Sequence, residues 1–455
     1  MASPTWHTSK ALAWMQTLLR ERFGHKFDLL VQPDERHIAL RLPGHARCIT
    51  LALDGVTFTR MDSDLPCALW DASAEGWAAA LQEPLPAPGV ESLPMPLIAK
   101  AAEGWHLDYD ILGLAYWMLT RQEEVGRTDL DAHGRFPSKS SHALRFNYLM
   151  RPIVDEWLDI LKKVIVRTWS NIELCRPQFS MSVSHDVDYI SRYSGHDFGV
   201  VARSAVVDLI KRRDVRSISS PWIWLTSQKK LHNLDPYNTF DWIMDQSEYH
   251  GLTSAFYFIC NYQRGGAYAP NYRIDHSITR NLMAKIYHRQ HEIGLHPSYG
   301  SYLNPLQIKK ETETLRTICI QESIKQPEFG GRMHFLQWRV PDTLLAWEYA
   351  GLAYDGTLAY ADHPGFRAGT CHEYPAFDPV LKRPLDLRIR PLIVMEVAVM
   401  GRGGLWLKNP EDALNCMIGL KKKCKSAGGC FSLLWHNTSL INETQKYIYK
   451  NILKN

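Results

Sequence analysis

A chain of 455 residues with 45% apolar and 22% charged side chains is globular in composition and too long for one ordinary domain. Its formal charge is only +4 and no run of Lys or Arg exceeds three, so nothing favours a nucleic acid as partner. Nine scattered cysteines, odd in number and without a C-x-x-C pair, argue against a disulfide framework and for reduced thiols in a cytoplasmic protein.

The opening Met1-Ala-Ser-Pro-Thr-Trp-His7 has no basic region followed by an apolar core, so no secretory signal is expected. No apolar stretch reaches about 18 residues, so no transmembrane segment is expected either. Residues 9–23 place Leu12, Met15, Leu18 and Leu19 on one helical face, with Ser9 as the N-cap. Residues 38–42 and 48–53 read as strands separated by Pro43-Gly44, and the proline-rich stretch 84–96 reads as a surface connector. Residues 108–120 are apolar throughout most of a helix, which predicts burial; a polar loop holding Asp131-Ala-His-Gly-Arg135 and a helix over 152–166 follow. These elements predict a mixed α/β N-terminal domain spanning 1–170.

From residue 176 onward short strands alternate with helices. Candidate strands are 179–184, 254–260, 292–296, 329–333, 353–358, 392–399 and 430–435; helices are expected over 278–290, 304–318, 342–349 and 410–425. Strand–helix alternation over this length predicts an α/β barrel domain at 176–455.

The first of these strands alternates Phe179, Met181 and Val183 with three serines, then ends in His185, Asp186 and Asp188. An Asp-rich turn alone has a bland reading, because Asp favours turns. Other strand ends repeat the pattern, however, with His296, then Arg332 and His334, then His436. Each histidine taken singly is as well explained by structure; four at equivalent positions assemble metal ligands, a base and an acid.

The order Ser184-His-Asp-Val-Asp188, Glu292-Ile-Gly-Leu-His296, Gly330-Gly-Arg-Met-His334 and Leu433-Leu-Trp-His436 resembles the NodB-homology polysaccharide deacetylases, carbohydrate esterase family four. Leu119-Thr-Arg-Gln-Glu-Glu124, Asp131-Ala-His-Gly-Arg-Phe136, Gly294-Leu-His-Pro-Ser298 and Tyr354-Asp-Gly-Thr-Leu-Ala-Tyr-Ala-Asp362 resemble a bacterial branch with an added N-terminal domain of unknown function. The resemblance implies a deformed (β/α) barrel and hydrolysis of an N-acyl, expectedly N-acetyl, group on a sugar of a polysaccharide or its nucleotide- or lipid-linked precursor. It implies Asp186 as base, Arg332 as the cation holding it, His436 as acid, and Asp188 and His296 as ligands of a divalent metal, expectedly zinc.

Two departures stand out. Val187 separates two aspartates that are usually adjacent, and Gly300 occupies the place of the family's second metal histidine, with only Ser298 and Ser301 beside it. His334 is the first choice for the missing ligand, then His363, then His185. The family's Asp-x-Trp has no clear match, and Glu396 is the nearest carboxylate. Asp362, Arg367 and Trp435 are expected to contact substrate, while Trp338 and Tyr360 either stack on sugar rings or pack. The alternatives are a carbohydrate-binding scaffold that lost its metal, and a metal-independent amide hydrolase built on Asp186 and His436.

Overall fold

The computed structural model describes residues 5–193, 198–211, 220–227, 230–263, 266 and 268–454. The helix Ser9–Phe23 buries Trp14, Met15, Leu18, Leu19 and Phe23. Its cap is Thr8, one residue before the expected Ser9, whose hydroxyl accepts from the Ala11 N–H. Strands Asp28–Val31, His37–Arg41, Cys48–Ala52, Gly104–Leu107 and Ile98–Ala101 form a sheet in that spatial order. Ile111–Leu119 is buried along its whole length, as its unbroken apolar run predicts, and Ile153–Thr168 is amphipathic.

The proline-rich stretch corrects the sequence reading. Leu85–Pro88 is a buried strand paired antiparallel with Cys67–Trp70, not a surface connector. A proline cannot donate to a ladder but its carbonyl still accepts. Pro84, Pro86 and Pro88 receive hydrogen bonds from Arg151 Nη1 (2.7 Å), Trp157 Nε1 (2.8 Å) and the Tyr109 hydroxyl (2.8 Å). Side chains on later elements thus satisfy a backbone that composition marks as loop.

In the second half of the chain a parallel sheet runs Glu292–Leu295, Ser254–Phe258, Ser180–Val187, Cys430–Leu434, Val394–Met395 in spatial order. The expected strand at 329–333 is reduced to a single residue. Gly331 bridges Leu295 on one side and Asp355 on the other, so the curve continues into Tyr354–Asp355 and Arg383–Ile389. A Cβ on Gly331 would lie 1.8 Å from the Leu295 carbonyl oxygen, so only glycine fits this approach. The predicted strand 392–399 is likewise short: Val394–Met395 gives way to the helix Glu396–Met400. Among the described residues no strand pairing joins Arg383–Ile389 to Val394–Met395. The fold is an open, curved parallel sheet with the sidedness of a (β/α) barrel, and the expectation of a barrel is corrected to that extent.

Apolar side chains of residues 6–169 and 183–453 belong to one continuous core. Trp14 meets Phe377 with ring centroids 5.2 Å apart and donates its indole N–H to the Pro375 carbonyl. A helical pair, Phe198–Lys211 and Ser220–Ser227, has a separate small core of Tyr193, Val201 and Ile223.

Candidate metal centre and active site

The parallel strands deliver their last residues to one rim. Asp186 and Val187 end the Ser180–Val187 strand, Asp188 follows it, His296 follows Glu292–Leu295, and His436 stands two residues past Cys430–Leu434. Arg332 and His334 come from the segment that bridges at Gly331.

Arg332 holds Asp186 by donating Nη1 to Oδ1 at 2.8 Å, and it anchors itself through Nη2 to Ser184 Oγ (2.9 Å) and Nε to the Gly356 carbonyl (2.9 Å). Burial alone raises the Asp186 pKa. The Arg332 guanidinium, with His296 and His436, more than offsets it, so the carboxyl lies below its ordinary range. His296 Nε2 stands 3.8 Å from its free oxygen.

Asp188 Oδ1 faces His296 Nε2 at 3.4 Å and His334 Nε2 at 3.3 Å. These three ligand atoms lie within 4.8 Å of one another. His296 donates Nδ1–H to the Arg332 carbonyl at 2.6 Å, which leaves Nε2 as the nitrogen that takes up a proton or a metal ion. That Nε2 faces a carboxylate oxygen, which itself is buried and receives no hydrogen bond among the described residues. Burial lowers the His296 pKa, and Asp186 and Asp188 more than offset it, so the site favours positive charge at this nitrogen, as a proton or as a metal ion. Burial lowers the His334 pKa, and its Nδ1 is buried without a hydrogen-bond partner among the described residues. A neutral imidazole is the form that ligates. Asp188, His296 and His334 therefore form a cluster able to hold a divalent metal, with the two-nitrogen, one-oxygen donor set of many catalytic sites.

His436 Nε2 lies 3.9 Å from Asp188 Oδ2. Its Nδ1 donates to Glu396 Oε1 at 2.7 Å, and the same oxygen accepts from the His436 backbone N–H and the Ser439 hydroxyl. Burial lowers the His436 pKa; Glu396, Asp188 and Asp186 overcome that and push it up to about 10, so the ring is cationic at neutral pH. Glu396, noted in the sequence only as the nearest carboxylate, orients and charges this histidine.

Other expected residues lie elsewhere. His185 turns away from the rim, bonding Trp435 O through Nδ1 (2.7 Å) and Ser254 Oγ through Nε2 (3.3 Å). His363 bonds its neighbour's carbonyl at Pro364 and is outside the ligand cluster. Gly300 adopts φ 81° and donates its N–H to Gln337, while Ser298 and Ser301 bond Glu311 and the Ser298 carbonyl.

The three expected substrate contacts each have partners within the protein, and two of them are buried. Trp435 is fully buried and packs edge-on against Tyr449, so no face is free for a sugar. Arg367 is buried in an ion pair with Glu124. Asp362 accepts from the Ser138 hydroxyl (2.9 Å) and N–H. Trp338 and Tyr360 are also buried, which decides for packing. A second grouping, Asp155, Cys371 and His372, also has metal-ligand chemistry. Asp155 is already occupied by Arg22, Thr370 and the Cys371 N–H.

Sequence reasoning missed the contribution of the loop at 131–135. Arg135 donates Nη1 to the Phe335 carbonyl at 2.7 Å, and Gln337 donates Nε2 to the His133 carbonyl at 2.8 Å. His133, Tyr299 and Phe335 form a ring cluster beside His334, with Phe335 4.9 Å from it. The phrase Asp131-Ala-His-Gly-Arg135 was visible in the sequence, but nothing in it located the loop beside a residue 200 positions later.

Residues 10–170 match a family of unknown function (DUF7033). The chain is similar in structure to a protein of Mycobacterium smegmatis described as a polysaccharide deacetylase, with 13% identity, 61% of this chain and 82% of the other covered, and a TM-score of 0.38. It is similar to Puue allantoinase at 10% identity, covering 61% and 83%, with a TM-score of 0.36. A protein of Pseudomonas aeruginosa PAO1 described as a polysaccharide deacetylase aligns at 14% identity, covering 61% and 84%, with a TM-score of 0.34. Comparison with curated proteins gave no match. Among the described residues no helix is long and apolar enough to cross a membrane.

Proposed function

We propose that this protein is a metal-assisted amide hydrolase that removes an N-acyl group, N-acetyl in the first instance, from a sugar. The substrate is a polysaccharide or its nucleotide- or lipid-linked precursor, met in the cytoplasm. The observation that carries the reading is the convergence of His296 Nε2 at 3.4 Å and His334 Nε2 at 3.3 Å on Asp188 Oδ1, three ligand atoms in one buried cluster. The sugar and the acyl group are supported by the resemblance of the four strand-end motifs. Zinc is the metal that best suits three such ligands with one open position.

A divalent metal held there supplies Lewis-acid activation of the acyl carbonyl and of a water. The chain's residues do the proton work. Asp186 removes a proton from the attacking water, and Arg332 keeps it ionised and aimed. His436, cationic and fixed by Glu396, donates Nε2–H to the departing amine. Asp188, His296 and His334 would hold the metal.

Purified protein is expected to hold one equivalent of metal, and His334→Ala to lose most of it; absence of metal in wild type after reconstitution with zinc, cobalt or nickel overturns the reading. Asp186→Asn is expected to keep metal and substrate binding while turnover falls by about 10²–10⁴-fold. Near wild-type turnover in that variant rules out Asp186 as the base.

A further inference from the structure

The helical pair that follows Asp188 is out of keeping with a surface in water. Phe198–Lys211 contains nine apolar residues in fourteen, and the core around it takes up Val201. Phe198, Val206, Val207 and Ile210 are exposed, Ile210 by 70%. On the partner helix Trp222 and Leu225 are exposed, Leu225 by 59%. A helix apolar on nearly every face belongs in a core or against lipid. Exposed large apolar side chains gathered on two neighbouring helices mark an interaction site.

Charge selects the partner. Residues 203–230 carry seven Lys or Arg against two Asp, a net +5 where the whole chain is only +4. Three of the basic residues are consecutive at 211–213, beginning with the last residue of the first helix, and two at 229–230, after the second. A second copy of this surface would bring like charges together. Apolar side chains with an exposed Trp and flanking Lys and Arg are what an anionic bilayer surface binds.

We infer that the pair Phe198–Lys211 and Ser220–Ser227 docks this protein on the surface of an anionic membrane, its apolar side chains entering the headgroup region. The docking rests on the hairpin's own surface and does not depend on the metal. It does bear on where substrate is met. Asn437, next to His436, donates Nδ2 to the carbonyls of Tyr189 and Tyr237, both at 2.9 Å. Asp235 accepts from the Ser191 hydroxyl (2.5 Å) and the Arg192 N–H (2.9 Å). The chain before and after the pair, at 189–192 and 235–237, is thus tied to the rim of the candidate site. Docking of the pair would set that rim near the bilayer, where the lipid-linked sugar of the proposed function is presented.

The test is cosedimentation of the full-length protein with phosphatidylcholine vesicles with and without phosphatidylglycerol. Wild type is expected to pellet with the anionic vesicles and to be released by salt. The triple change Ile210→Ser, Trp222→Ser, Leu225→Ser is expected to reduce binding by about tenfold or more without lowering the melting temperature. Arg203→Ser with Lys230→Ser is expected to weaken only the phosphatidylglycerol-dependent part, by about fivefold for each charge. Failure of wild type to bind anionic vesicles overturns the inference, as does undiminished binding by both variants. So does a dimer in light scattering that the triple variant abolishes, which would assign the surface to a second copy.

Discussion

Imidazoles at this rim differ through the nitrogen that faces away from it. His296 spends Nδ1 on the Arg332 carbonyl and so turns Nε2 toward Asp188. His436 spends Nδ1 on Glu396, a negative partner, and so stays charged. His185 has both nitrogens engaged by Trp435 and Ser254, and burial, the main cause, takes its pKa down to about 3. That last group predicts an acid sensitivity. The unfolded chain protonates this ring near pH 6.5, whereas the folded chain refuses the proton until about 3, so stability present above pH 6.5 is lost progressively as pH falls through that window. Its contribution to the slope is about 1.4 kcal/mol per pH unit. His185→Gln, which can still donate to the Trp435 carbonyl, is expected to flatten the dependence by one proton. Urea midpoints measured from about pH 7 to about pH 4 check this; equal slopes for the two proteins would contradict it.

The element that presents His334 is a tight turn in which Phe335 and Leu336 both sit at positive φ, 60° and 53°. Non-glycine residues pay roughly 1–2 kcal/mol each for that conformation. Arg135 and Gln337 hold it, one bonding the Phe335 carbonyl and the other tying the turn to His133. Asp131 keeps Arg135 in place with an Oδ2 contact of 2.8 Å to Nε. Arg135→Ala is therefore expected to weaken metal binding by about 10–100-fold while leaving the fold intact. Titration calorimetry with zinc or cobalt measures it, and unchanged affinity would show that the turn needs no brace. The same contrast explains what was legible in the sequence. Asp186, Asp188, His296, Arg332, His334 and His436 could be grouped because a strand's end is a local signal and several strands share one rim. Trp435 could not be placed, because its burial depends on Tyr449, and Leu85–Pro88 was hidden because its hydrogen-bond partners come from 109, 151 and 157. Gly331 marks the same limit: one bridging residue has no periodicity to read.

Across the whole molecule the first 170 residues and the rest are joined by charge as well as by packing. Arg121 and Arg367 share Glu124, with Arg121 Nε at 2.8 Å and Arg367 Nε at 3.0 Å, and all three are buried. Glu124→Ala removes the carboxylate partner of buried Arg367 and leaves Arg121 with Glu123 alone, so it is expected to cost about 3–5 kcal/mol. Chemical denaturation measures that cost, and a loss within experimental error would show the network to be dispensable. We propose that residues 1–170 and 176–455 are distinct domains that do not fold apart. Expression of 176–455 alone is expected to give insoluble or low-melting protein; a fragment with wild-type melting would sink the proposal.

Arg332 serves the site twice, through groups of different origin. Its guanidinium holds Asp186, and its carbonyl fixes the His296 tautomer. The carbonyl is common to all twenty amino acids; only the guanidinium is written in the codon. A substitution here therefore reaches the Asp186 half of the site directly and the His296 half only through the path of the backbone.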